Sequence, residues 1–233
     1  MPIFAKGFRI VRRIFRERPQ RQRGPSFKFL KAAASLDDFH AVLDVGANVG
    51  NMTALFLQQF PNAKVWAFEP VCATCAALRA RFANEPRVEI RQEALGCVHS
   101  TAPMLMAGMS TTMYRIVDHV DPIRDHEQVT VNTGDGFMAE VGLSAVDFLK
   151  IDTEGHDLKV LMGFTAALER KAIRFLQVEA GMNATNSLHV PIQQFMQFLE
   201  PLGYHLYRVV GQVAEVNGPG ILRRADLVFW RGS

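Results

Sequence analysis

"HAVLDVGANVGNM", residues 40–52, stops an apolar run against two glycines, with one carboxylate and two asparagines beside them. Ala41 to Val45 reads as a short buried strand that delivers the chain to Gly46, and "GNMTALFLQQF" reads as a helix that starts near Gly50 and stops at Pro61-Asn62. The positive end of that helix faces the turn. Asn48 tolerates a left-handed conformation better than most residues do. On these residues alone two readings stay open: a tight turn with no ligand, or a backbone that a ligand must approach closely. A nicotinamide dinucleotide cradle needs G-x-G-x-x-G, and Asn48 and Asn51 stand where its second and third glycines belong, so that cradle is absent.

Outward from this turn, strand and helix patterns alternate. "AKVWAFE" is a strand, "VCATCAALRARFAN" a helix and "RVEIRQEAL" a strand. A less regular stretch from Gly96 to His126 suggests hairpin strands and a loop, followed by the strand "QVTVNT" and the short helix "GDGFMAEVG". "AVDFLKID" is a buried strand, "HDLKVLMGFTAAL" a helix, "IRFLQVEA" a strand and "PIQQFMQFLEPLG" a helix. Such alternation argues for a doubly wound α/β fold with a parallel sheet. The last strands, "YHLYRVVG" and "ADLVFW", have only a short link through residues 217–220 and should pair antiparallel. Upstream, residues 26–39 read as a helix with Phe27, Leu30, Ala34 and Phe39 available for one face.

"KVWAFEP" ends in Glu69, 19 residues after Gly50. In doubly wound sheets an acid at the end of the second strand accepts the hydroxyls of a ribose. Pro70 helps to end the strand there.

Composition bounds the rest. The 233 residues are 48% apolar and 21% charged, ordinary for a globular protein, and no apolar run reaches the length of a spanning helix. Three cysteines make no disulfide framework, which points to a reducing cytoplasm. The net charge of +3 hides an asymmetry: residues 1–25 carry eight Lys/Arg against one acid, so the body is mildly acidic. That segment places Phe4, Phe8, Val11 and Phe15 at helical spacing among its arginines. It suits a peripheral contact with the anionic inner face of a membrane, or a self-packing extension whose charges keep it soluble. The expected organisation is this segment followed by one domain over residues 26–233.

"LDVGANVGNMT", "FEP", "ALG", "DFLKIDTEGHDLKVLMG", "VEAG" and "DLVF" occur in order, and together they resemble the FkbM-type methyltransferases, a branch of the class I S-adenosylmethionine-dependent enzymes. The resemblance runs from about Ala41 to Trp230. It implies a Rossmann-like, seven-stranded, mostly parallel sheet with an antiparallel last strand, and S-adenosyl-L-methionine as cofactor. It implies O-methylation of a hydroxyl on a sugar, glycolipid or secondary metabolite. By it Asp44, Gly46, Asn48 and Gly50 surround the methionine part of the cofactor, Glu69 holds the ribose diol, and Gln92 and Glu93 border the adenine.

A strand also ends at Asp152, where acids and a histidine crowd one turn: Asp152, Glu154, His156 and Asp157. Methyl transfer to oxygen requires a hydroxyl to be aimed and deprotonated. Asp152 or His156 could accept that proton, while Glu154 and Asp157 could equally cap the following helix. Asp152 and Glu179 end consecutive strands and could hold Mg²⁺, but Ala180 follows Glu179 where another oxygen ligand would be welcome, although Asn183 and Asn186 are near. The expectation is no metal. Cys72 and Cys75 form a lone C-x-x-C inside an alanine-rich helix and read as small buried residues. His189 lies in a segment that could line an acceptor pocket. No basic groove or base-clamping motif marks a nucleic-acid partner. The competing functions are a nucleic-acid methyltransferase, a dinucleotide oxidoreductase, and a non-enzymatic or membrane-associated nucleotide-binding module.

Overall fold

The computed structural model describes residues 27–32, 34–106, 111–117, 125–216 and 220–232. The basic segment 1–25, the middle of the methionine-rich stretch (107–110) and most of the late link (217–219) lie outside the described residues. No helix among the described residues is long and apolar enough to cross a membrane.

The chain runs β1 (Ala41–Val45), α1 (Asn51–Gln59), β2 (Lys64–Phe68), α2 (Cys72–Arg81), β3 (Val88–Arg91), β4 (Ala94–Leu95), β5 (Ser100–Leu105), β6 (Arg115–Ile116), β7 (His126–Asn132), α3 (Gly134–Glu140), β8 (Val146–Ile151), α4 (Asp157–Met162), α5 (Thr165–Glu169), β9 (Ile173–Gly181), α6 (Ile192–Leu199), β10 (His205–Ala214) and β11 (Leu222–Trp230). Seven strands form one sheet in the order β10-β11-β9-β8-β1-β2-β3. β11 is antiparallel to both its neighbours, and the remaining pairs are parallel. This is the doubly wound, mostly parallel arrangement expected. The chain steps outward through β2 and β3, then returns to add β8 on the other side of β1. The crevice of such a sheet lies at the carboxyl ends where the order reverses, here β1 and β8.

Both faces of β1 are covered, so every residue of it is buried. Val42 packs into an aromatic layer with Phe27, Phe39, Phe56, Phe60, Phe148 and Phe175, while Leu43 and Val45 face the opposite layer with Phe68, Phe137 and Phe164. Phe39 and Phe60 stack at 4.5 Å between centroids. This two-sided burial explains the continuous apolar run.

Three elements differ from the sequence reading. The helix expected over 26–39 is two 3₁₀ turns, Phe27–Ala32 and Leu36–Asp38, because the Ser35 hydroxyl accepts from the Asp37 amide and starts a new turn. Phe27, Leu30 and Phe39 are nonetheless buried. "RVEIRQEAL" splits: β3 stays in the main sheet, and β4 crosses to a second sheet of order β4-β7-β5-β6. Between them Gln92 and Glu93 turn to Arg79 and Arg91. "HDLKVLMGFTAAL" is two helices, because the Asp135 carboxylate accepts the amides of Ala166 and Ala167 and starts α5 afresh. At the break, a Cβ on Gly163 would stand 2.1 Å from the Gly96 carbonyl oxygen. Gly163→Ala is therefore expected to destabilise the protein by about 1–3 kcal/mol, since backbone cannot rotate aside. Urea denaturation checks it, and an unchanged midpoint would refute the close approach.

Candidate active site

The turn after β1 uses left-handed backbone three times, at Gly46 (φ 79°), Asn48 (φ 50°) and Gly50 (φ 80°). The amides of Gly46 and Ala47 both donate to the Phe68 carbonyl, which binds the turn to the end of β2. A Cβ on Gly46 would lie 2.0 Å from the Asp152 carbonyl oxygen, and one on Gly50 would strike Phe82 and Leu78. Both glycines are thus demanded by the protein's packing on itself. The sequence alone left open whether a tight turn or a ligand required them.

Asn48 supplies the link to Glu69. Its amide donates to Glu69 Oε2 at 3.0 Å, and the Val71 amide donates to Oε1 at 3.0 Å. The carboxylate is fixed at the carboxyl edge of β2. Burial pushes it up to about 7, although both amide hydrogen bonds pull the other way.

Beneath the turn lies a charge cluster that the sequence reading missed. Lys150 of β8 stands directly opposite Asp44 of β1 in the parallel register. Its Nζ is 3.1 Å from Asp152 Oδ2 and 3.6 Å from Asp44 Oδ1, and the Thr53 hydroxyl donates to Asp44 Oδ2 at 2.7 Å. Burial works to lower the ammonium, but the Asp152 and Asp44 carboxylates outweigh it and hold it above its ordinary range. Burial raises Asp44, against Lys150 and Thr53. The available signal was a lysine inside an otherwise apolar strand, "AVDFLKI".

The turn after β8 is held by Asp157. Its Oδ2 accepts from the Thr153 hydroxyl at 2.7 Å and the Thr153 amide at 3.2 Å, while Oδ1 accepts from the Glu179 amide at 3.2 Å. Burial pushes Asp157 up to about 6. This residue ties the ends of β8 and β9 together. Glu154 (φ 52°) and Gly155 (φ 98°) follow in left-handed backbone. The two acids weighed as a Mg²⁺ pair turn apart: Asp152 to Lys150, and Glu179 to His189 and Arg224.

A cavity of about 250 Å³ opens between these turns. Gly46, Asn48, Glu69, Glu93, Asp152 and His156, drawn from four separate stretches of sequence, line it together. Asp44, Gly50 and Gln92 do not. Asp44 is wholly buried below, Gly50 faces α2, and Gln92 accepts from Arg79 Nη1 at 2.8 Å. The second sheet adds Met104, Thr111, Tyr114 and Ile116 as a wall, and Thr111 donates to Asn48 Oδ1 at 2.9 Å. No periodicity could have placed those residues here. Cys72, Cys75 and Cys97 are all free thiols; Cys75 is buried in α2 as expected, but Cys72, expected to be buried, is exposed as the first residue of that helix.

The lining sets four carboxylates, Glu69, Glu93, Asp152 and Glu154, against the single ammonium of Lys150. Helix α1 begins at Asn51 with no side-chain cap, so its first amides remain available to an anion. The two features together suit a ligand with a positive centre and a terminal carboxylate, as S-adenosyl-L-methionine has.

Residues 44–206 match the methyltransferase FkbM domain model. A protein of Beauveria bassiana named methyltransferase 1 is 29% identical over 150 residues, 56% of this chain and 60% of that protein. The hexuronic acid methyltransferase AglP of Haloferax volcanii is 26% identical over 183 residues, 74% of this chain and 69% of that protein. The match to the Beauveria protein thus spans less than two thirds of its length. Among solved structures, magnesium protoporphyrin IX methyltransferase (ChlM) from Synechocystis, determined with bound S-adenosylmethionine, superposes with a TM-score of 0.51 at 12% identity, over 88% of this chain and 76% of that one. That likeness is one of fold. Because the family model covers well over half of the chain and the cavity suits the family's cofactor, the protein belongs to the FkbM methyltransferase family, with S-adenosyl-L-methionine as its cofactor.

Proposed function

We propose that the protein transfers a methyl group from S-adenosyl-L-methionine to a hydroxyl on a sugar, glycolipid or secondary metabolite. One observation carries the reading: two groups able to accept a proton, Asp152 and His156, line the same cavity as Glu69 and the Asn48 turn. The bound cofactor supplies an electrophilic methyl on a sulfonium. In this reading Glu69 takes the ribose hydroxyls, Glu93 borders the adenine, and Gly46, Asn48 and the amides of α1 face the methionine carboxylate. Asp44 acts from below, holding Lys150 and through it Asp152, and is a positioning residue. His156 receives the acceptor's proton. The hexuronic acid methyltransferase among the relatives supports a sugar acceptor. Residues 26–233 act as one methyltransferase domain, with residues 1–25 as a separate basic extension.

A methyl-transfer screen with labelled cofactor against sugar, glycolipid and metabolite hydroxyls tests this. Transfer confined to nitrogen, carbon or nucleic-acid acceptors overturns it. The ribose contact makes a second expectation. With a carboxyl group at about 7, Glu69 is mostly protonated at pH 6 and mostly ionised at pH 8. Only the ionised form accepts from both ribose hydroxyls while keeping its two amide donors. Cofactor affinity is expected to tighten as pH rises from 6 to 8, by about tenfold for one charge-assisted hydrogen bond gained. Calorimetry at both pH values measures it, and Glu69→Gln should flatten the profile. Parallel profiles for the two proteins would remove Glu69 from the ribose.

A further inference from the structure

We propose that Glu154, Glu179 and His189 form a binding site for one divalent cation that takes nitrogen and oxygen ligands, Zn²⁺ or Mn²⁺, at the edge of the cofactor cavity. One ligand atom from each lies within 4.8 Å of the other two. His189 Nε2 is 2.7 Å from Glu179 Oε2 and 3.8 Å from Glu154 Oε2. Two ligands of one such ion, each about 2.1 Å from it, stand roughly 3–4 Å apart, so the His189–Glu154 pair already fits and the His189–Glu179 pair has to open slightly.

Two of these atoms are otherwise idle. Glu179 Oε2 and His189 Nε2 are buried and neither makes a hydrogen bond. They lie 2.7 Å from each other as a buried pair, which a divalent cation between them would replace. Both residues are more than nine-tenths buried.

The surroundings hold the three ligands in place. Asn186 donates from Nδ2 to the Arg223 carbonyl and accepts the Leu188 and His189 amides at Oδ1, so its side chain is fixed. His189 Nδ1 lies 3.0 Å from Asn186 Nδ2 and 3.1 Å from Asn186 Oδ1, and the tautomer in which Nδ1–H donates to Oδ1 leaves Nε2 bare for a metal. Gly155 packs against the Leu188 carbonyl so closely that a Cβ would come within 2.2 Å, which locks the Glu154 turn onto the His189 segment. Arg224 pairs with Glu179 Oε1 and leaves Oε2 to the site. With His189 neutral, Glu154, Glu179 and Arg224 sum to one negative charge, which a divalent cation reverses. One imidazole and two carboxylates favour Zn²⁺ or Mn²⁺ over Mg²⁺. The site departs from the sequence expectation of no metal, and it uses neither Asp152 nor a residue after Glu179 in β9. Because Glu154 also lines the cofactor cavity, an ion here would sit where an acceptor hydroxyl could be drawn in; that role rests on the methyltransferase reading.

The test uses the full chain, stripped with chelator and titrated with Zn²⁺, Mn²⁺ and Mg²⁺ in the absence of cofactor and acceptor. It therefore reads the site independently of methyl transfer. Expected are one Zn²⁺ per chain, weaker Mn²⁺ seen as loss of the free-ion paramagnetic signal, and Mg²⁺ at least about a hundredfold weaker than Zn²⁺. X-ray absorption at the zinc edge should show nitrogen and oxygen neighbours with an imidazole signature. His189→Ala and Glu154→Gln should each weaken Zn²⁺ by at least about tenfold. Glu154 reaches the cavity rim, so its variant remains informative if His189→Ala does not fold. Sulfur neighbours, or Zn²⁺ affinity unchanged in the variants, would place the ion on a cysteine and overturn the proposal. Failure to bind any of the three ions would overturn it too.

Discussion

Replacing Lys150 with alanine is expected to destabilise the protein by about 3–5 kcal/mol, because it strands a buried carboxylate without its counter-charge. Asp44 has no access to solvent, and its Oδ1 makes no hydrogen bond; the Lys150 ammonium is the cation beside it. The loss should depend on pH with a definite sign. Asp44 is already raised by burial, and without Lys150 it rises further. The variant's deficit, measured against the parent, should shrink as pH falls from 8 to 5, because protonation removes the stranded charge. A double variant, Lys150→Met with Asp44→Asn, should recover much of the loss, since removing both charges costs less than removing one. Urea denaturation across that pH range measures all three. A deficit under about 1 kcal/mol that stays constant with pH would mean that Asp44 is not held ionised by Lys150.

That cluster shows where sequence reading reaches and where it stops. Strand β1, its turn and α1 were legible because burial on both faces leaves an apolar run, and left-handed turns leave glycine and asparagine. The sheet followed from alternation. Glu69 and His156 were placed correctly on the cavity by one rule, that strand ends carry the chemistry. Asp44 and Gly50, which the family resemblance set beside Gly46 and Asn48, lie in or next to the same turn but do not line the cavity. Side-chain direction within a turn is set by what packs against it, here Phe82 and Leu78 from a helix some thirty residues away. Lys150 stayed hidden for a related reason. A lysine in a strand reads as an edge or a solvated residue until its partner in the next strand is known, and Asp44 becomes that partner only through the β1–β8 register. The break between α4 and α5 was equally non-local, fixed by Asp135 from the first turn of α3.

His156→Ala is expected to lower kcat by about 10²–10⁴, the range of a positioned general base, while cofactor affinity stays within about threefold. The residue stands at the N-terminal cap of α4 and lines the cavity, and its Nε2 comes over Gly96, where even a Cβ would crowd it at 3.2 Å. Asp152 is the competing base, but its carboxylate already serves the Lys150 ammonium at 3.1 Å, so giving it a proton would weaken a buried pair. The rate profile separates the two. A neutral imidazole is needed to take the hydroxyl proton, so kcat in the parent protein should fall as pH is lowered. In His156→Ala the residual rate should lose that acid limb. In Asp152→Asn the limb should remain, and the fall in rate should come with a lower melting temperature, because the Lys150 pair is broken. If Asp152→Asn abolishes the acid limb and His156→Ala keeps it, the base is the carboxylate and His156 only shapes the wall.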